Sequence, residues 1–316
     1  MLRRQFLKRA VTLGGAAVAT TLPFSGHADP ARLAQVQRSA KQVAGFAPDL
    51  DTLRRLASVM LGPLPTELNV VRFAESHRKA SLVLEGGDPQ RKINLARTAH
   101  QLVYPQGSVI LDSGMDEATH DYFGSSSDPF YMEKYQRLQQ AMRQANLIVL
   151  SHYHADHVGG VVTSPYFEEI ADKVWLSSDT REFMVTTPHK ASIEICRERT
   201  ERFIAIDFDN YYPVAPGIVA IKAPGHTPDS KMFYIRLQNG QEYLHSSDTG
   251  WTLENITSGK MKNAPWVKED REALKAQFAW LNTLMKEQPN LIMINSHDTP
   301  SYLALRERGL LGEFRI

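Results

Sequence analysis

A single cysteine, Cys196, stands in 316 residues. That excludes an intrachain disulfide and any thiolate metal site, and a chain of this length can bury a core that needs no cross-links. Cys196 lies in Ile193-Glu194-Ile195-Cys196, a setting that predicts a small, buried, core side chain. Long apolar runs are also lacking. The uncharged stretch Ala10 to Leu22 has 13 residues of moderate apolarity, against the roughly 20 of a membrane span, so no stable membrane anchor is expected. Charge of one sign is scarce: the formal net charge is +1. The first 28 residues hold Arg3, Arg4, Lys8 and Arg9 and no acid, leaving 32 basic against 35 acidic residues, a net −3, in the remainder. A slightly acidic body disfavours nucleic acid or an anionic membrane as the main partner, because gripping a phosphate backbone takes clustered Lys and Arg.

What is present begins with an address. Met1-Leu2-Arg3-Arg4-Gln5-Phe6-Leu7-Lys8 resembles a twin-arginine export signal in its paired arginines, its Phe-Leu two positions on and its following lysine, and departs from it at Leu2, where Ser or Thr is usual. Ala10 to Leu22 has the length and flanks of a signal-peptide core. Gly26-His27-Ala28 puts small residues where cleavage after Ala28 requires them. The resemblance implies a signal peptide over 1–28, the twin-arginine machinery as partner, a periplasmic location and a mature chain from 29 to 316. Because that route carries folded proteins, a metal site would be filled before export.

The mature part alternates short apolar runs with helical patterns and has no low-complexity linker, which predicts one α/β domain over 29–316. Leu50, Leu53, Leu56 and Val59 mark the end of a helix from Asp29 to Met60, stopped by Gly62-Pro63-Leu64-Pro65. Strands are predicted at Leu68–Phe73, Ala80–Leu84, Ala96–Tyr104, Ser108–Leu111, Leu147–Leu150, Val174–Leu176, Phe203–Ile206, Ile218–Ile221, Met232–Leu237, Glu242–Leu244 and Leu291–Asn295. Helices are predicted at Phe130–Ala145, from Thr180, and at Glu269–Lys286. A faint echo joins the halves. Ser108–Leu111 ends in Asp112-Ser113-Gly114 and Glu242–Leu244 leads to Asp248-Thr249-Gly250, each the second strand of a hairpin turned at Gln106-Gly107 or Asn239-Gly240.

Three of the eleven histidines fall in His152-Tyr153-His154-Ala155-Asp156-His157, directly after an apolar strand. In extended chain, side chains two apart point the same way, so His152 and His154 can grip one ion while Asp156 and His157 serve a second. Four good donors exceed what one zinc accepts while keeping a position open for water, so the cluster predicts two metals. Further donors stand at strand ends: His226 after Ile218–Ile221, Asp248 after Glu242–Leu244 and His297 after Leu291–Asn295. His77, His100, His120, His189 and His245 lack ligand spacing and are expected to be structural. Asp112 either orients the ligand loop or caps a turn. Phe130, Trp251 and Trp266 are candidates for an apolar pocket, with core packing as the alternative.

The run from His152 to His157 resembles the H-x-H-x-D-H signature of the metallo-β-lactamase superfamily. Gly225-His226-Thr227 is similar to its G-H-T segment, Ser247-Asp248-Thr249 to its bridging aspartate and Ser296-His297-Asp298 to its last histidine, in the family's order from about Glu67 to Asp298. The resemblance implies a four-layer αββα sandwich. It also implies that His152, His154 and His226 hold a first metal, that Asp156, His157 and His297 hold a second, and that Asp248 bridges them. Five imidazoles and two carboxylates suit two zinc ions, with other divalent transition metals possible; the family's di-iron branch typically carries Glu at the position of His154, and its sulfur-oxygenating branch lacks the last histidine. The implied activity is hydrolysis of an ester, lactone or related carbonyl in a small-molecule substrate by hydroxide made at the metals, with Asp156 or Asp248 moving protons. β-Lactamases of the family usually lack the aspartate at Asp248, whereas its lactonases keep all seven ligands but place a tyrosine where this chain has Trp251. A β-lactamase, or an inactive metal-containing binding protein, is the alternative.

Overall fold

Short runs rich in branched apolar residues pair into two sheets in the computed structural model, which describes residues 45–123 and 127–316. The export segment 1–28 and the start of the helix expected from Asp29 lie outside the described residues. In chain order the strands are β1 (Glu67–Lys79), β2 (Lys92–Tyr104), β3 (Gly107–Leu111), β4 (Leu147–Val149), β5 (Val174–Leu176), β6 (Ile204–Ala205), β7 (Tyr211–Ala215), β8 (Ile218–Lys222), β9 (Lys231–Arg236), β10 (Glu242–His245), β11 (Leu291–Ile294) and β12 (Gly312–Glu313). One sheet runs β12-β1-β2-β3-β4-β5-β6 and the other β11-β10-β9-β8-β7.

Alternation along the strands sorts their side chains into layers. Val109 and Leu111 of β3 point between the sheets, where they meet Phe233 and Ile235 of β9. Ile110 points the other way, onto Leu138 and Met142 of the helix Met132–Gln144 and Val158 and Val161 of the helix Ala155–Val162. On the far side, Val219, Ile221 and Tyr234 are covered by Leu274, Phe278 and Leu281 of the helix Arg271–Glu287 and by Leu53 and Leu56 of the helix Leu50–Leu56. The order is helices, sheet, sheet, helices: the expected αββα sandwich. Among the described residues no helix is long and apolar enough to cross a membrane.

The echo between halves is architectural. Each predicted hairpin forms: Tyr104 pairs with Gly107 across the first turn, and Arg236 with Glu242 across the second. Each then gains a parallel neighbour, β4 beside β3 and β11 beside β10. The loops leaving these four strands therefore gather at one edge of the sandwich.

Residues 45–49, inside the helix expected from Asp29 to Met60, are not helical, and the helix Leu50–Leu56 starts after Pro48 with Asp49 as its cap. Two further expectations fail. Ala80–Leu84 is not a strand; Ala80–Val83 forms a helical turn. Ala80, Val83 and Leu84 all pack into one small cluster with Ile93 and Leu95, and that spacing is helical, whereas a strand would turn alternate residues outward. Cys196 is exposed rather than buried. The chain is extended there, so Ile193 and Ile195 face the core while Glu194 and Cys196 face solvent. Strand β7 was not anticipated because Pro213 interrupts its pattern; it lies at a sheet edge, where a missing N–H is tolerated.

Candidate metal centre

The chain leaves β4 through Leu150 and Ser151, and His154 caps the helix Ala155–Val162 in an extended conformation. Its carbonyl accepts from the His157 and Val158 N–H groups at 2.9 and 3.0 Å, which places Asp156 and His157 in the first helical turn. This helix seats closely because of Gly160: a Cβ there would fall 1.8 Å from the Ser113 carbonyl oxygen. The other donors arrive on the loops after β8, β10 and β11. Asp112 and Ser247 adopt φ of 62° and 51°, so a left-handed residue turns the chain at the end of β3 and again just before Asp248.

The seven predicted donors converge in two sets. One ligand atom from each of His152, His154 and His226 lies within 4.8 Å of the others, and the same holds for Asp156, His157, Asp248 and His297. Asp248 touches both: its Oδ2 is 3.0 Å from His297 Nε2 and 3.4 Å from His226 Nε2, and its Oδ1 is 3.3 Å from His157 Nε2.

Four of the imidazoles are aimed by a partner at their other nitrogen. Asp112 Oδ2 lies 2.8 Å from His157 Nδ1 and accepts the Ser151 hydroxyl at 2.9 Å, while its Oδ1 accepts the Ser151 N–H. Ser151 Oγ in turn lies 3.0 Å from His152 Nδ1. His297 Nδ1 contacts the Ala96 carbonyl at 2.7 Å, and His226 Nδ1 contacts Glu269 Oε1 at 2.5 Å. Such outer partners fix ring orientation and tautomer in metal sites. Asp112 is thus an orienting group and more than a turn cap.

His152 Nε2, His157 Nε2 and Asp248 Oδ1 are buried and have no hydrogen-bond partner. Buried polar atoms nearly always have one, and two cations among these donors would supply it, so the residues fit a pair of metal ions. The charges agree. Burial, then the neighbouring imidazoles, hold His152 and His154 well below the usual histidine range, leaving lone pairs free to bind at neutral pH. Burial opposes charge on His157 too, but Asp248, Asp112 and Asp156 outweigh it and raise that imidazole well above its usual range. Around Asp156 burial is outweighed by Arg97, His157 and His297, and around Asp248 by His297 and His157, so both carboxylates stay ionised. Carboxylates packed this way call for positive charge.

The donors open on a cavity of about 450 Å³ lined also by Arg97, Phe123, Tyr153, His189, Trp251 and Trp266. Trp251 and Trp266 thus line a pocket, whereas Phe130 packs against Phe73 and Tyr135. His189, read as structural, stacks on His154 at 4.0 Å and accepts from the Ala155 N–H; burial first of all pushes its pKa down to about 4. Sequence reasoning also missed Arg97, which pairs with Asp156. It missed the buried Lys262 as well, which bonds Glu269 Oε1 at 2.6 Å and donates to the Asp248 carbonyl. None has a local signature, since each acts on a donor from a distant segment. His100 and His245 form a buried pair with Tyr302, and His120 lies against the Asp128 carbonyl, so these remain structural.

A family model described as the metallo-beta-lactamase superfamily matches residues 102–297. N-acyl homoserine lactonases from a Bacillus species and from Bacillus thuringiensis are 23% and 22% identical over 228 and 230 residues, 66% of this chain and 84% of theirs. Among solved structures, a quorum-quenching N-acyl homoserine lactone lactonase superposes with a TM-score of 0.61 at 18% identity, over 77% of this chain and 97% of its own. AidC, a dizinc quorum-quenching lactonase in complex with a product, does so with a TM-score of 0.54 at 16% identity, over 74% and 89%. These structural likenesses bear on the fold.

Proposed function

The chain belongs to the metallo-beta-lactamase superfamily and is a metal-dependent hydrolase, and from this premise we propose that it hydrolyses a lactone or related ester with two zinc ions. The observation that carries this reading is the convergence of seven donors in two sets that share Asp248, with buried ligand atoms left unpartnered in both. His152, His154 and His226 would hold the first ion, Asp156, His157 and His297 the second, and Asp248 would join them. When bound, two such cations acidify a water molecule and polarise a carbonyl oxygen.

The chain's own residues do the rest. Hydrolysis adds water across the acyl C–O bond, giving a hydroxy acid from a lactone or an acid and an alcohol from an open ester. Asp248, in contact with both sets, is the carboxylate placed to take the proton that the water loses and to pass it to the departing oxygen. Asp156, paired with Arg97, stays ionised and fixes the floor of the cavity. Trp251, whose ring lies 6.5 Å from that of His297, offers an apolar wall beside the donors. The distant lactonase relatives and the complete ligand set support a lactone over a β-lactam. The twin-arginine-like segment supports export to the periplasm, which replacing Arg3 and Arg4 by lysine should block; normal periplasmic accumulation of that variant would refute it.

The test is zinc content together with a substrate panel. Purified protein should hold close to two equivalents of zinc and turn over lactones or activated esters, with little action on β-lactams. Robust β-lactam hydrolysis without lactone or ester activity would overturn the reading, and so would a fully loaded protein inert on every substrate.

A further inference from the structure

The cavity walls carry positive charge that the chain itself does not answer. Three cations gather at Phe123: the Arg97 guanidinium lies 5.3 Å and Lys190 Nζ 4.5 Å from its ring centroid, and Arg78 donates to its carbonyl at 3.2 Å. Lys268 lines the cavity next to Trp266. Arg78 is paired, with Asp128 at 2.9 Å. The one carboxylate beside Arg97 is Asp156, itself a proposed metal ligand, and the Arg97 Nε is buried without a hydrogen-bond partner. Among the described residues neither Lys190 nor Lys268 has a carboxylate partner. Arg97 is answered by Asp156, and Glu269, which also lines the cavity, is held by Lys262 and His226, so among the described residues no carboxylate is left for the two lysines. A cleft with low-dielectric walls focuses such a field on whatever enters it. Its aromatic faces, Phe123, Tyr153, Trp251 and Trp266, provide flat apolar contact for the remainder of a ligand.

We infer that the substrate is an ester or lactone bearing a separate anionic group, a carboxylate or another singly charged oxyanion, which Lys190 and Lys268 hold while the carbonyl faces the donors that line the cavity. This rests on the reading of the site as a carbonyl hydrolase. It separates this chain from one that takes a neutral lactone with a plain apolar tail.

Two measurements test it. In the first, zinc-loaded protein is given 4-nitrophenyl hydrogen glutarate and 4-nitrophenyl pentanoate, which share leaving group and acyl length and differ by one carboxylate. The charged ester should have a kcat/KM about tenfold higher, mostly through KM, and high salt should shrink the advantage. Lys190→Gln with Lys268→Gln should bring the ratio close to one, whereas Lys190→Arg with Lys268→Arg should keep it. Arg97 is left in place because it holds Asp156. The second reads binding without turnover: tryptophan fluorescence of the loaded protein is titrated with benzenesulfonate, a poor metal ligand, and with the neutral isostere methyl phenyl sulfone. The sulfonate should bind about tenfold tighter, and the double glutamine variant should lose that difference. Equal binding of the two, or a preference that survives loss of both lysines, overturns the inference. Should neither ester be hydrolysed and the lactones of the panel stay intact as well, carbonyl hydrolysis fails as a reading, and the sulfonate titration still decides the anionic subsite.

Discussion

His152, His154 and His226 meet as three imidazoles, with His154 only half buried, whereas Asp156, His157, Asp248 and His297 bring two carboxylates together and are all buried. In the first set burial and the neighbouring imidazoles keep protons off His152 and His154. The second is charged, and its carboxylates hold a proton on His157. Their supports differ in the same sense. His226 in the first set leans on Glu269, which is matched by Lys262. His157 in the second leans on Asp112, whose other contacts are to Ser151. His152 and His154 can therefore bind a cation without losing a proton, whereas His157 must give one up. The lesson is that two neighbouring donor sets on one sheet edge need different protein chemistry behind them, and that metal loading should depend on pH chiefly through the second.

The sharpest way to break the contrast is to remove what the sets share. Asp248→Ala should cost at least one equivalent of zinc and lower kcat/KM by about a thousandfold or more, since a paired-cation mechanism needs both ions. His152→Ala should abolish turnover yet spare metal in the second set, and metal analysis of the two variants side by side would expose a site that does not divide this way. Next comes the support of the first set. Lys262→Met strands Glu269 in a buried place, and losing one partner of a buried pair costs about 3–5 kcal/mol. The double variant Lys262→Met with Glu269→Gln should regain much of that in denaturant melts, and no recovery would mean that Lys262 acts through the Asp248 carbonyl alone.

Acid should reveal the neutral histidines on the same scale. His245, buried beside His100, has a pKa pushed down to about 4 by burial above all. The unfolded chain takes a proton below about pH 6.5 that the fold refuses until about pH 4, so stability is full above that window and falls as pH drops through it. His245 alone should contribute a loss on the order of 3 kcal/mol, measured on metal-free protein. A flat stability profile between pH 6.5 and 4 would contradict the burial of this pair. A smaller effect belongs to the second set's support: Asp112→Asn should weaken zinc binding about 10–100-fold while leaving the fold in place. The smallest concerns the cavity, where Trp251→Ala should raise KM several-fold with little change in kcat, because a lost apolar wall removes uniform binding, typically about 1–3 kcal/mol.

Most strand positions and the cluster of four candidate donors from His152 to His157 were legible from local pattern, whereas His226, Asp248 and His297 were reached through their places at strand ends and the family resemblance. β3, β5 and β8 are short apolar runs between turn residues, and His152 to His157 carries its spacing within one loop. Two misreadings share one cause. Ala80–Leu84 and Ile193–Cys196 are each too short for their apolar residues to reveal a period, so tertiary contacts settled their form: a helical turn against Ile93 and Leu95 in one case, an extended segment with Cys196 outward in the other. Helix Ala155–Val162 escaped prediction because Gly159 and Gly160 lower its propensity; Gly160 allows the close approach to Ser113, and Gly159 faces Met115.

By itself the sequence determined most of the strands and the longer helices, the left-handed turns that hairpins demand, and the candidate donors, because backbone periodicity and ligand chemistry act over a few residues. Tertiary structure alone decided which of its two readings Asp112 takes, that Glu269 and Lys262 brace the first donor set, and that Arg97, Lys190 and Lys268 charge the cavity. Those relations join residues tens to hundreds of positions apart, and only the packing of the two sheets brings them within reach of a hydrogen bond or a Coulomb field.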